Sequence, residues 1–260
     1  MTRARGHVYM GVTNMNSLSQ IRHTITYMGL PLLFAMVLHG YALAWMAEKC
    51  GDSTAKLQGR LTINPLAHIH PFWTVILPLI CVMLPGIPLF GWTKMIPIDH
   101  QNMRQSRRDL TLVAAAGIGT NLLLAIASAL FLALILTIEP TLSLKKSAEA
   151  DAFSSPLATL VLRPIAVMAL YSVLINVVFV VWNLLPFSPF AGSLILRGLL
   201  PLQPGRIFAR SERYMMLLFV VLIVFDEQLH VIHTITGTFY EGFSSTILST
   251  ALALRPGITE

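Results

Sequence analysis

The stretch TITYMGLPLLFAMVLHGYALAWM, residues Thr24–Met46, decides the fold class of this chain. A helix that crosses the hydrocarbon core of a bilayer needs about 20 apolar residues, and this stretch is long enough. Its only marked polar breaks are Thr24, Thr26 and His39. Because a histidine inside a membrane span is energetically costly, His39 is a candidate functional residue.

Apolar stretches of this kind recur along the chain. Of its 260 residues, 55% are hydrophobic and only 12% are charged, and the mean hydropathy is +0.70. This composition excludes an ordinary soluble globule and predicts an all-α fold, a polytopic helical membrane protein. The further apolar stretches are Pro71–Phe90, Leu110–Ile138, Ile165–Leu185 and Tyr214–Phe225, the last continuing to Ile235.

The net charge of +6 does not indicate a nucleic-acid-binding protein, because no Lys/Arg cluster is interleaved with aromatic residues on a soluble segment. The basic residues lie in the links between the apolar stretches, where they set topology and meet anionic headgroups of the lipid bilayer. The links 91–109 and 186–213 are expected on the cytoplasmic side. Cys50 and Cys81 are too few for a disulfide framework.

The second apolar stretch is unusual because it contains Pro71, Pro78, Pro85 and Pro88. Repeated prolines interrupt helical hydrogen bonding. The stretch is therefore either a broken helix or a re-entrant segment that other parts of the protein bury. The distribution of Lys and Arg fits both topologies equally well.

Four groups of residues, taken together, carry a resemblance to one protein family. They are Cys50–His68; Gly91-Trp92 with Lys94, Pro97 and Arg107–Asp109; AGIGTN at Ala116–Asn121; and Asn176 with NLLPFSPFAG at Asn183–Gly192. In this order they resemble the compact bacterial site-2 proteases, intramembrane zinc metalloproteases that cut transmembrane segments. The resemblance extends from Phe34 to Leu200. It implies a single membrane domain, 1–260, in the bacterial cytoplasmic (inner) membrane, with a polar tail 1–23, a core 24–200 and a C-terminal link and span 201–260.

The departures from the family pattern fall on the residues that bind zinc and activate water. Family members carry HExxH on the first core helix, where residues four apart share a face and both histidines reach one zinc ion. The glutamate activates the zinc-bound water. Here His39 remains, but the glutamate position is Gly40, the second histidine position is Leu43, and the third ligand, the aspartate of the family's LDG motif, is Ala191.

A single imidazole cannot retain zinc, because zinc sites use at least three protein ligands. We therefore expect that zinc is lost and that no residue is catalytic. The prediction is a pseudoprotease, an accessory or structural subunit or a regulator that binds other integral membrane proteins in a hetero-oligomeric complex. The alternative is an active metalloprotease whose divergent site combines His39 with His68 or His70. A third reading is a binder of a small molecule or a redox cofactor in the emptied cavity.

The resemblance also bears on topology and on polar side chains of the core. Because the family brings the HExxH helix and the LDG turn to one zinc ion, the chain between them should cross the membrane an even number of times, which favours a re-entrant segment at Pro71–Phe90. Asn121, Asn176 and Asn183 are expected either to bind a partner segment or to brace the site as polar contacts between helices. His230 and His233, three residues apart, could share one helix face.

Overall fold

All regular structure among the described residues is helical. The computed structural model describes residues 17–77, 79–80, 96–139, 142, 144, 156, 158–186, 188, 190–224 and 234. The helices are α1 (Ser17–Lys49), α2 (Thr54–Leu57), α3 (Ser106–Ile138), α4 (Arg163–Leu184), α5 (Ala191–Leu199) and α6 (Leu202–Val224). Shorter turns are a 3-10 turn at Pro65–Ala67 and π-helical turns at Pro71–Ile76 and Ala158–Leu162.

Three helices are long and apolar enough to cross a membrane. They comprise Ile25–Lys49, Ser106–Ile138 and Leu160–Leu184. These spans contain most of three of the stretches predicted from hydropathy, which confirms an all-α membrane protein. The side chain of Lys49 lies over the ring of Trp45, with Nζ 5.8 Å from the ring centroid, so the C-terminal end of α1 carries an aromatic and a basic residue together. This pairing is typical of a membrane–water interface.

The end of α1 and the approach to α3 are joined directly. The backbone N–H of Arg104 donates to the Cys50 carbonyl at 3.1 Å, and the N–H of Asp99 donates to the Asp52 carboxylate at 2.7 Å. The chain therefore returns to the end of α1 that it left, as a re-entrant segment requires. Pro71–Ile76 begins that segment as a π-helical turn. Residues 81–95 lie outside the described residues, so the dip itself stays a prediction.

Asp52 stabilises this junction as a buried carboxylate. It also accepts hydrogen bonds from the backbone N–H and hydroxyl of Thr54, at 3.0 and 2.5 Å, and from the Asn102 amide at 3.4 Å. Burial alone raises the pKa of Asp52, but the hydrogen bonds from Thr54, Asp99 and Asn102 outweigh it and hold the pKa below its usual value. The ionised carboxylate is thus part of the fold.

Helices α3 and α4 pack through small residues. Ala125, Ala129 and Ala133 of α3 form a buried cluster with Val173 and Val177 of α4. In a membrane, small residues allow the close approach from which helix packing gains most.

Helix α5 lies against the start of α3. A Cβ atom on Gly198 would overlap the Thr111 side chain and the Arg107 carbonyl, so glycine is required at this crossing. The Arg107 guanidinium in turn donates to the carbonyls of Gly198 and Leu199 at the end of α5, at 3.3 and 2.9 Å. These contacts fix the helix on which the third ligand position lies.

Two boundaries differ from the sequence-based expectation. Helix α1 begins at Ser17, inside the predicted polar tail, and α6 begins at Leu202, inside the predicted link 186–213. Arg206, Arg210 and Arg213 of that link are therefore helical. The predicted C-terminal span is described only in part, because its continuous described helix ends at Val224. His230 and His233 lie outside the described residues.

Candidate functional site

His39, the surviving ligand position, is held by helix α3. Its Nδ1 lies 2.6 Å from the Asn121 Oδ1 and 3.1 Å from the Gly117 carbonyl. Since both neighbours are acceptors, Nδ1 carries the proton and donates it. In the neutral ring the lone pair is then on Nε2, which is the arrangement of a metal-ligating histidine whose other nitrogen is oriented by an outer partner.

The hydrogen bonds continue from His39 across three helices. The Asn121 amide donates to the Asn176 Oδ1 at 2.9 Å, and the Asn176 amide donates to the Ser172 carbonyl at 2.8 Å. The Ser172 and Ser128 hydroxyls lie 2.7 Å apart. Both asparagines are buried, with exposed fractions of 0% and 1%. We call His39, Asn121, Asn176 and Ser172 the interhelical network, since it joins α1, α3 and α4.

Gly117 is what lets α1 approach α3 closely enough for this contact. A Cβ atom on Gly117 would lie 2.8 Å from the His39 Cε1 and 2.8 Å from the Leu43 Cδ2. Non-bonded carbon atoms essentially never lie this close to each other, so a larger residue at position 117 would push the helices apart. Gly117 lies within the AGIGTN motif, where a small residue is expected to allow two membrane helices to approach closely.

The three reaction positions, Gly40, Leu43 and Ala191, carry no group that can do the family's chemistry. Gly40 is buried and Leu43 is half-buried. Leu43 packs against the buried cluster of Ala47, Cys50, Met103, Leu110 and Val113, and Leu194 of α5 packs against the same cluster. Ala191, the first residue of α5, is 5% exposed. Helices α1 and α5 thus each pack a leucine against one apolar cluster.

The turn that carries Ala191 is built tightly. The Asn183 Oδ1 accepts from the Ala191 N–H at 3.2 Å, and the Asn183 amide donates to the Phe179 carbonyl at 2.9 Å. A Cβ atom on Gly192 would overlap the Leu185 carbonyl. Asn183 and Gly192 therefore position the start of α5. Asn121, Asn176 and Asn183 all brace the chain internally, and partner binding by them stays a prediction.

The His68 ring lies beside Gly40, whereas the backbone of His70 bonds to Thr74. The His68 Nε2–H donates to the Thr62 carbonyl at 2.8 Å. A Cβ atom on Gly40 would lie 3.0 Å from the His68 Nδ1, so the ring is in direct contact with α1. The backbone N–H of His70 donates to the Thr74 hydroxyl at 2.9 Å. No sequence motif indicates the contact between residues 40 and 68.

The donor groups near His39 do not fit a zinc site. Among the residues that the structure describes, no three His, Cys, Asp or Glu side chains lie close enough together to hold a metal ion. Leu43 and Ala191 offer only apolar atoms, and Gly40 offers no side chain. A zinc site needs at least three nitrogen, sulfur or oxygen ligands. No reaction step through zinc follows from the described residues.

Curated relatives of the chain are bacterial proteins named as zinc metalloproteases. The chain is 31% identical over 198 residues, 76% of its own length and 80% of the relative's, to the candidate zinc metalloprotease YwhC of Bacillus subtilis. It is 32% identical over 94 residues, 36% of this chain and 35% of the relative, to the candidate zinc metalloprotease Rip2 of Mycolicibacterium smegmatis. Rip2 of Mycobacterium tuberculosis is 34% identical over 93 residues, 36% of this chain and 34% of the relative. No family model and no solved structure matches the chain.

Proposed function

The chain belongs to the site-2 protease family, and from this premise we propose that it is a member without catalytic zinc, an accessory subunit or regulator of other integral membrane proteins. One observation supports the proposal above the others. The contacts that orient the surviving ligand His39 are complete, while the three reaction positions hold Gly40, Leu43 and Ala191. The scaffold of the family is kept without the groups that perform its reaction.

Coordination chemistry supports the loss of zinc. With Leu43 and Ala191 at the other two ligand positions, His39 alone would have to hold the ion, and one imidazole leaves zinc to its cellular competitors. Even a bound ion would lack its general base, because Gly40 cannot take a proton from zinc-bound water. Two separate requirements of the reaction therefore fail at once.

The proposed role uses the outer surface of the bundle. Apolar side chains follow the lipid-facing side of α3, with exposed fractions between 43% and 69%: Leu123, Ile126, Leu130, Leu134 and Ile138. Because these residues recur every three or four positions, they form one stripe along the helix. A transmembrane helix of a partner can pack on this stripe while the interhelical network keeps the bundle rigid.

We place the protein in the bacterial cytoplasmic membrane as a multi-pass protein. The junction between the end of α1 and the start of α3 carries Arg104, and the first turn of α3 carries Arg107 and Arg108. The positive-inside rule favours the cytoplasm for a short link of this kind. The N-terminus of α1 would then lie on the opposite side.

A cleavage assay tests the proposal against an active protease. The purified full-length protein is reconstituted with a labelled transmembrane substrate, beside variants His39→Ala, His68→Ala and His70→Ala. We expect no cleavage above the background of the empty vesicles, and no change with any variant. Cleavage that a chelator stops and that one of these substitutions abolishes would refute the proposal and establish the divergent metalloprotease instead.

A second assay tests the accessory role directly. The protein is extracted gently in detergent and cross-linked through a photoreactive residue at position 130, on the stripe of α3, with position 173, which is buried against α3, as the matched control. We expect one membrane protein to be cross-linked from position 130 and none from position 173. Only lipid adducts at position 130 would remove the support for a partner on this surface.

A further inference from the structure

The imidazole of His68 is buried in contact with the glutamate position of the family's HExxH motif. His68 is 1% exposed, and its Nε2 is occupied by the Thr62 carbonyl. No described residue lies within hydrogen-bonding distance of its Nδ1. Instead, Nδ1 and Cε1 would lie 3.0 and 3.3 Å from a Cβ atom on Gly40. The ring thus fills the space into which a side chain at position 40 would extend.

An unpaired ring nitrogen in this place needs a physical reason. A buried polar atom without a hydrogen bond costs about 1–3 kcal/mol in general. Since Nε2 donates to the Thr62 carbonyl, Nδ1 of the neutral ring carries the lone pair, and the side of the ring with Nδ1 and Cε1 lies next to Gly40. Any larger residue at 40 would move the ring by a few tenths of an ångström.

We propose that Gly40 and His68 form a closure, in which the imidazole seals the degenerate site on the α1 side and ties the turn 62–70 to the membrane helix. This inference rests on the proposed function, since it describes what occupies the place of the missing base. Within the same link, the Arg60 guanidinium donates to the carbonyl of Ala67, the residue before His68, and Arg60 is 7% exposed. If the His68 ring is displaced, we expect this bond to loosen and Arg60 to become accessible.

A double-mutant cycle on the full-length protein in detergent tests the closure. Gly40→Ala is made in the wild-type background and in the His68→Ala background, and the midpoint of thermal unfolding is measured. In the wild-type background we expect a fall of about 2–4 °C, the size of shift that a modest clash causes in a chain of this length. In the His68→Ala background we expect no fall, because the space is then free.

Gly29→Ala is the matched control on the same helix, since a Cβ atom there has nothing within 4 Å. It should change the midpoint equally in both backgrounds. Equal shifts for Gly40→Ala in the two backgrounds would refute the closure.

Limited digestion with trypsin gives a second readout that does not depend on the size of the thermal shift. Lys56 is already exposed and serves as the internal reference for cleavage in the same link, whereas Arg60 is buried. We expect Gly40→Ala to increase cleavage after Arg60 at least threefold relative to cleavage after Lys56. An unchanged ratio would contradict the closure. Neither readout involves zinc or peptidase activity, so the closure can fail while the proposed function stands, and the reverse.

Discussion

The interhelical network and the three reaction positions lie in the same bundle but differ in what their side chains do. Every member of the network is hydrogen-bonded to a neighbouring helix or to its own backbone, as with His39, Asn121 and Asn176. Gly40, Leu43 and Ala191 make no such bond through a side chain. The polar residues that remain are therefore those whose loss would leave a buried group unsatisfied.

This difference separates the stability of the fold from its chemistry. In a bilayer an unpaired donor or acceptor has no water to bond, so a network of asparagines is costly to dismantle one residue at a time. Ligands and a general base support a reaction, and their replacement by apolar or small residues removes charge from the membrane. The scaffold can thus outlast the reaction.

The largest effect is expected at Gly192, next to a reaction position. Gly192→Ala forces a methyl group onto the Leu185 carbonyl and should destabilise the protein by about 3 kcal/mol in denaturant or thermal unfolding. Gly205→Ala is the control, because its Cβ atom would meet only an ordinary contact at 3.8 Å. A similar small effect for both would mean that the turn before α5 is looser than these contacts indicate.

The next effect concerns the centre of the interhelical network. Asn121→Leu removes the donor to the Asn176 Oδ1 and the closer acceptor of His39, whose Nδ1–H then has only the longer bond to the Gly117 carbonyl. We expect a loss of about 2 kcal/mol in the free energy of unfolding. Thr120→Val is the neighbouring control, since the Thr120 hydroxyl bonds only within its own helix, to the Ala116 carbonyl. If the two variants unfold alike, the network does not hold the helices together.

Asp52 is a further buried polar group whose hydrogen bonds stabilise the fold, at the junction between α1 and α3. Its pKa is lowered in the folded protein because, despite burial, Thr54, Asp99 and Asn102 donate to the ionised carboxylate. The stabilisation is therefore present above the pKa of the unfolded chain and is lost as the pH falls through the lower pKa of the folded state. Asp52→Asn should lower stability at neutral pH by about 1–2 kcal/mol.

The same variant should make unfolding less sensitive to acid below pH 4 or so, where an ordinary aspartate takes up a proton. The measurement is the midpoint of thermal unfolding at several pH values for the wild type and Asp52→Asn. Parallel pH profiles for the two proteins would show that another group causes the acid sensitivity.

The smallest effect is expected at a reaction position itself. Ala191→Ser adds one hydroxyl in the first turn of α5, where it can bond to the backbone, so stability should change by about 0.5 kcal/mol. Position 191 is expected to tolerate an added side-chain atom, whereas position 192, one residue away, is not. A large loss in Ala191→Ser would mean that Ala191 is part of the scaffold and not only of the lost chemistry.

The sequence predicted the spans well because hydropathy over 20 or more residues is a strong signal. The second stretch begins irregularly, as the prolines predict, with a π-helical turn at Pro71–Ile76. The motifs around Asn121 and Asn183 contain side chains that hydrogen-bond to other parts of the bundle. The contact between Gly40 and His68 could not be predicted. Residues far apart in sequence meet there through a turn whose path depends on the whole link, and neither residue type has a fixed partner. Helix α6 begins at Leu202, earlier than hydropathy predicts, because the basic residues in its first half lower the hydropathy without ending the helix.

Zinc content tests the central claim most directly. The protein is purified from cells grown with added zinc, and metal per chain is measured by mass spectrometry, with His39→Ala as the control. The account predicts far less than one zinc ion per chain and no difference between the two proteins. Close to one zinc ion per chain, lost in His39→Ala, would contradict it.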